Sequence, residues 1–101
     1  MILRQWRARA LLAEAPHYPA HFRGKVLPQL RALDGFLGGH LGQRQLGDRL
    51  EFLVLTRWTS MEAIRAFAGV NVDKAVVEPE AAAALVDYDA LVQHYEVLEE
   101  A

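Results

Sequence analysis

The chain has 101 residues, 52% hydrophobic and 24% charged, with a formal net charge of -2. That balance fits one folded domain, residues 1–101, built on one core, and excludes the basic stripe that a nucleic-acid backbone requires. No cysteine is present, which removes disulfides, thiol nucleophiles, iron–sulfur clusters and cysteine-bound zinc.

The opening "MILRQWRARA" interrupts its apolar stretch with charges, and no later segment approaches the ~18 apolar residues that span a membrane. A cytoplasmic protein with no membrane partner is expected. Residues 2–11 alternate, with Trp6, Ala8 and Ala10 on one side of a strand and Gln5, Arg7 and Arg9 on the other. Pro16 can open a helix in which Tyr18, Phe22, Val26, Leu30 and Leu33 form one stripe. Pro28 lies inside that stripe, lacks an N–H and crowds the preceding turn, so a kink or restart is expected there.

"DGFLGGHLGQRQ" reads as a turn followed by a glycine-broken strand, and "LGD" turns the chain into "RLEFLVLTRW", the strongest strand signal in the sequence. In that strand Leu50, Phe52, Val54, Thr56 and Trp58 share one face, and Leu53 and Leu55 share the other with Arg49, Glu51 and Arg57. Thr59 and Glu62 fit a capping box. Met61, Ile64, Phe67 and Ala68 form one helical face, and Gly69 can stop the helix. "NVDKAVVE" reads as a loop, Pro79 opens a short alanine-rich helix, and "ALVQHYEVL" is a last strand.

The order β-α-β-β-α-(α)-β is the split β-α-β pattern of ferredoxin-like α+β folds, a four-stranded antiparallel sheet with its helices on one face. Leu53 and Leu55 then lie on a bare face, for which a second copy of the chain is the simplest cover. Arg7, Arg9, Arg49, Arg57 and Glu51 on that face are expected to form ion pairs at such an interface rather than an anion site. Asp87, Asp89, Glu78 and Glu80 read as solvated loop charges.

"FLVLTRWTSMEAIRAFAG", "KAVVEPEA" and "HYEV", with "LPQLRALDGFLGG" upstream, resemble the antibiotic biosynthesis monooxygenase-like (ABM) domains of the dimeric α/β-barrel group. The resemblance implies a homodimer whose sheets face each other, with a ligand pocket between sheet and helices in each subunit. It spans cofactor-free monooxygenases acting on quinols or polycyclic aromatics, haem-degrading enzymes, isomerases and proteins of unknown role. Matched to the haem-degrading branch, that branch's helical tryptophan falls on Phe67, its haem-ligating histidine on Val77 and its first-strand asparagine near Trp6. All three depart, and valine cannot ligate iron, so no cofactor is expected.

A cofactor-free oxygenase must hold an aromatic plane, remove a proton and stabilise the developing charge. Trp6, Tyr18, Phe22, Phe52, Trp58 and Phe67 are the candidates for lining an aromatic-ligand site, although the same spacings also describe ordinary core packing. His94, mid-strand, is the candidate base, because imidazole titrates nearest neutrality. The strand's two parities are similarly apolar and leave its direction open. His17 and His21, four apart on a helix, could approach one metal ion with Glu14 or His40, but two ligands do not make a site and no metal is expected. The leading expectation is thus a homodimeric aromatic-ligand domain acting as a cofactor-independent monooxygenase. The alternatives are a non-catalytic ligand-binding or structural dimer, and an isomerase of a small oxygenated metabolite.

Overall fold

A computed structural model describes residues 1–101. Strand β1 (Ile2–Leu11) lies at the middle of an antiparallel sheet ordered β2-β3-β1-β4, where β2 is Phe36–Leu46, β3 is Arg49–Trp58 and β4 is Asp87–Tyr88. A fifth strand, β5 (Gln93–Glu96), also pairs with β1. The expected last strand, residues 90–98, is shortened to β5, and β4 adds an unexpected second piece before it along the same edge of β1. Between the pieces the chain turns aside to pair with the 73–75 loop, through Val92 N–H to the Asp73 carbonyl at 2.8 Å and Ala75 N–H to the Ala90 carbonyl at 2.9 Å.

Parity sorts the sheet as the alternation requires. Trp6, Ala8, Ala10, Phe52, Thr56 and Trp58 are buried under the helices. Leu53 and Leu55 lie on the opposite face, where β1 sets Arg7 and Gln5 across from them. The cover is one helical run made of α1 (His17–His21), a π turn (Phe22–Val26) and α2 (Leu27–Arg31), together with α3 (Met61–Ala68) and α4 (Pro79–Ala83). Two clusters form the core: Trp6, Tyr18, Phe22 and Phe52 with smaller neighbours, and Leu30, Trp58 and Ile64.

The π turn answers the expectation at Pro28. The Leu27 N–H reaches back five residues to the Phe22 carbonyl, which widens the helix immediately before the proline ring that would otherwise crowd it. The widening has a second effect. A stripe at strict spacings of four drifts by about 40° per step around an ordinary α-helix, and one wide turn absorbs that drift, so Tyr18, Phe22 and Leu30 all stay buried.

At the other crossover, Ser60 and not Thr59 caps α3, its side-chain oxygen accepting from Ala63 N–H at 3.2 Å. Thr59 N–H is still bonded to the Gly35 carbonyl at 2.9 Å, so the sheet holds the chain one residue longer than the capping-box spacing suggests. Gly69, at φ +81°, ends the helix. No helix is long and apolar enough to cross a membrane.

Asp87, Asp89 and Glu80, expected as solvated loop charges, are instead paired. Arg9 is paired within the chain, to Asp87, to Asp89 at 2.9 Å and to Glu51 at 3.6 Å. Asp87 and Asp89 are thus ligands of one arginine, whose charge they stabilise, and they tie the broken edge strand to β1. Glu80 likewise reaches Lys25 at 3.5 Å and His21 at 3.7 Å.

Candidate functional site

Between the helical face of the sheet and the α1–α2 run lies a narrow, mostly apolar cleft. Arg4, Trp6, Val54 and Thr56 line it from the sheet, Tyr18, His21 and Phe22 from the helical run, and Phe67, Val76 and Val77 from α3 and the loop beyond. Four of the six aromatic residues expected at a ligand site are here: Trp6, Tyr18, Phe22 and Phe67. Phe52 and Trp58 do not reach the cleft and are fully buried. They sit on the central strand β3, where helices cover them directly. Phe52 packs 5.3 Å below Tyr18, and Trp58 packs against Phe36 and Phe67 while donating its indole N–H to the Thr56 hydroxyl at 2.8 Å.

The aromatic wall is braced from behind. Trp6 donates its indole N–H to the Asp89 carbonyl at 2.8 Å and tilts against Tyr18 at 5.7 Å and Tyr88 at 6.0 Å. Burial raises the Tyr18 phenol well above its ordinary range, so its hydroxyl keeps its proton at any neutral pH.

Arg4 is the functional side chain that reading the sequence missed. It shares the parity of Trp6, Ala8 and Ala10, and a cation in an otherwise apolar register was the available signal. Only 5% exposed, its Nη1 donates to the Val72 carbonyl at 2.7 Å and to His94 Nε2 at 2.9 Å, and its Nη2 donates to the Lys74 carbonyl at 3.2 Å. Its guanidinium also lies 5.8 Å from the Phe67 ring centroid. Burial pushes its pKa down to about 10, against the opposing pull of Asp73, so the group remains a cation at neutral pH. No carboxylate bonds it directly, and Asp73 is linked to it through His94.

The direction of the last strand is settled by register. His94 stands opposite Arg4, so it shares the helix-covered face, and Gln93 and Tyr95 share the open one. His94 nevertheless lies behind Arg4 and does not line the cleft. A guanidinium can only donate, so Nε2 is the acceptor and the ring proton sits on Nδ1, 3.2 Å from Asp73 Oδ1. Burial and then the Arg4 charge lower its pKa. These contacts support a neutral clamp on Arg4, because the lone pair that a base would use is already engaged.

His17 and His21 do not converge. His17 is exposed beside Glu14 at 2.6 Å, whereas the His21 side chain is only 8% exposed. His40 faces Leu55 on the open side of the sheet, and no group of three residues is placed to hold a metal ion. His21 turns inward: it lines the cleft, and its Nε2 is buried with no hydrogen-bond partner in the chain.

The three positions that the resemblance matched to the haem-degrading branch, Trp6, Phe67 and Val77, all line this cleft. Val77 offers no lone pair there, so the ligand set of that branch is not reproduced at that position.

Solved structures share the fold over nearly the whole chain. A provisionally named antibiotic biosynthesis monooxygenase from Deinococcus radiodurans aligns with 18% identity and a TM-score of 0.68, covering 100% of this chain and 96% of its own. The haem-degrader MhuD from Mycobacterium tuberculosis, solved with two haems in its active site, aligns with 21% identity and a TM-score of 0.65, over 100% and 99%. A provisionally named antibiotic biosynthesis monooxygenase from Bacillus cereus gives 15% identity and a TM-score of 0.67, over 99% and 93%. No curated protein matches the chain. The profile described as antibiotic biosynthesis monooxygenase matches residues 13–79, from the turn after β1 through the whole β2–β3 hairpin to the first residue of α4. A match over that much of the sequence, on the same fold, places this chain in the antibiotic biosynthesis monooxygenase family.

Proposed function

We propose that the protein is a homodimer whose clefts each bind a small aromatic ligand and act as a cofactor-independent monooxygenase on a quinol or polycyclic aromatic. The observation that carries this reading is Arg4: a buried cation, bonded to carbonyls and a neutral imidazole, at the edge of an aromatic cleft. Such a charge favours a bound anion, and an electron-rich aromatic anion is the species that reacts with oxygen without a cofactor. For a ring methylene the overall change is CH₂ plus O₂ to C=O plus H₂O, with one oxygen atom kept and the other leaving as water. Trp6, Tyr18 and Phe67 would hold the ring plane, and Arg4 would stabilise the charge that forms when its proton is lost.

The dimer is supported by the uncovered sheet face, where Leu53 and Leu55 remain only half-buried and Leu46 and Tyr95 are 40% and 48% exposed. A second sheet laid on this face would bury them.

Oxygen-electrode assays with anthrone and substituted hydroquinones test the reading, together with ¹⁸O₂ labelling of the product. Uptake with one labelled atom retained in a carbonyl product is expected. Absence of both uptake and binding across the panel sinks it.

A further inference from the structure

His21 is the one buried side chain whose polar atom has no partner. The imidazole is 8% exposed, Nε2 is fully enclosed without a hydrogen bond, and the residue lines the cleft. A buried nitrogen left unbonded is costly, and native structures keep few of them. Glu80 stands 3.7 Å from Nδ1 on the opposite side of the ring. A carboxylate there favours the proton on Nδ1 and leaves the lone pair on Nε2, the buried nitrogen of a residue in the cleft lining. Tyr18, one turn earlier on the same helix, packs at 6.4 Å from the His21 ring and at 5.7 Å from Trp6, and Trp6 neighbours Arg4 on one face of β1. The lining of the cleft thus combines a cation, an unpartnered imidazole nitrogen and aromatic rings.

We propose that His21 Nε2 is the acceptor for the hydroxyl of a planar phenolic ligand. The proposal rests on the aromatic-ligand reading above and adds the requirement for a ring hydroxyl and the residue that recognises it. An apolar arene would leave Nε2 as it is, and a phenol supplies the missing donor. When the hydroxyl gives up its proton, the O–H electrons stay on oxygen and the proton passes to Nε2. The resulting imidazolium then faces Glu80, and Arg4 is the fixed cation of the same cleft for the phenolate.

Equilibrium dialysis with 2-naphthol and naphthalene separates this proposal from the reading beneath it. The wild type is expected to bind 2-naphthol at least about tenfold more tightly than naphthalene. His21→Phe is expected to abolish that preference and leave naphthalene affinity within about twofold. Nitrogen-15 spectra of the wild-type imidazoles provide a measurement that does not depend on the variant: the His21 Nε2 resonance should move on adding 2-naphthol and stay in place with naphthalene. Equal affinity for the two compounds, or an unmoved resonance, overturns the role of His21 and leaves the aromatic cleft standing. Binding of neither compound overturns both. A one-equivalent Soret shift with haemin that His21→Phe removes would instead make this nitrogen an iron ligand, and would overturn the phenol proposal.

Discussion

Arg4 Nη1 lies 2.9 Å from His94 Nε2, and this contact fixes the protonation of both residues. The guanidinium has no acceptor, so the imidazole must supply the lone pair, and its one proton is held at Nδ1 toward Asp73 at 3.2 Å. The buried cation at the cleft is thereby steered by a chain of two bonds that ends on an exposed carboxylate.

Stability should therefore fall on mild acidification. The folded-state pKa of His94 is depressed below the ordinary 6.5 by burial and by Arg4, so between the two values the unfolded chain binds more protons. The contribution is complete above about pH 6.5 and is lost as pH drops through the folded pKa, with a slope no steeper than about 1.4 kcal/mol per unit, the limit for one proton. Urea titrations of wild type and His94→Gln between pH 7.5 and 5 check this. The two curves should keep a constant separation above pH 6.5 and approach each other below it. Parallel curves would remove His94 from the acid response.

Replacing Arg4 by Lys should cost about 1–2 kcal/mol of stability, because one ammonium cannot reproduce the planar fork that serves the Val72 and Lys74 carbonyls and His94 together. Arg4→Met should cost more, about 3 kcal/mol, by stranding those acceptors in a buried site. Denaturant midpoints give both values. Equal midpoints for Lys and Met would show that the charge contributes nothing to folding.

Two glycines predict opposite signs. Gly35 has φ +89°, and a Cβ there would stand 2.5 Å from the Ala63 Cβ and 2.6 Å from the Thr59 Oγ1, so Gly35→Ala should destabilise by about 2 kcal/mol or more. Gly24 lies in the helical run with nothing within 4 Å of an added Cβ, so Gly24→Ala should stabilise by roughly 0.5–1 kcal/mol. Thermal melts of the pair, expected to move in opposite directions, are the check.

Trp58 and Phe67 should separate packing from binding. Trp58 is fully enclosed between Phe36 and Phe67, and Trp58→Ala should cost about 3–5 kcal/mol. Phe67, half-buried and facing the cleft, should lose less stability as Leu but weaken aromatic ligands by several-fold. Paired unfolding and naphthalene-binding measurements report both effects. Equal ligand weakening in Trp58→Leu and Phe67→Leu would mean that the cleft extends deeper than its lining implies.

Leu53→Glu combined with Leu55→Glu should yield a monomer by light scattering while the far-ultraviolet spectrum stays native. The two leucines face away from the helices, and charges there oppose only a second sheet. A monomeric wild type at micromolar concentration would remove the dimer from the proposal.

The sheet was legible because alternation survives a change of neighbours: Trp6, Ala8 and Ala10 against Arg7 and Arg9 fixes β1 whatever covers it. Arg4 obeys the same parity but was masked by its charge, since a cation on a buried face makes sense only once the carbonyls of Val72 and Lys74 are in place, and those come from a loop some 70 residues away. The same holds for Asp87 and Asp89, which look like solvated acids until β4 pairs with β1 and sets them on Arg9. Thr59 carried the better capping-box spacing, but a hydrogen bond to Gly35 claimed its backbone. Pattern exposed what depends on nearest neighbours in sequence. The cleft's polar groups depend on distant ones.

The π turn at Phe22–Val26 amounts to one surplus residue in a helix, and it sets the phase between two halves that face different clients. Upstream of it, Tyr18 and His21 face the cleft, and downstream Leu30 seats in the cluster with Trp58 and Ile64. Tightening the wide turn into an ordinary helix without removing a residue would turn one half by about 100° against the other. With Leu30 anchored, the imidazole would swing out of the cleft. The wide turn therefore works as a fixed gear between core and site, and deleting Gly24 should be tolerated, because it removes the surplus residue and the wide turn together and leaves eleven steps between Tyr18 and Leu30, within about 20° of three full turns.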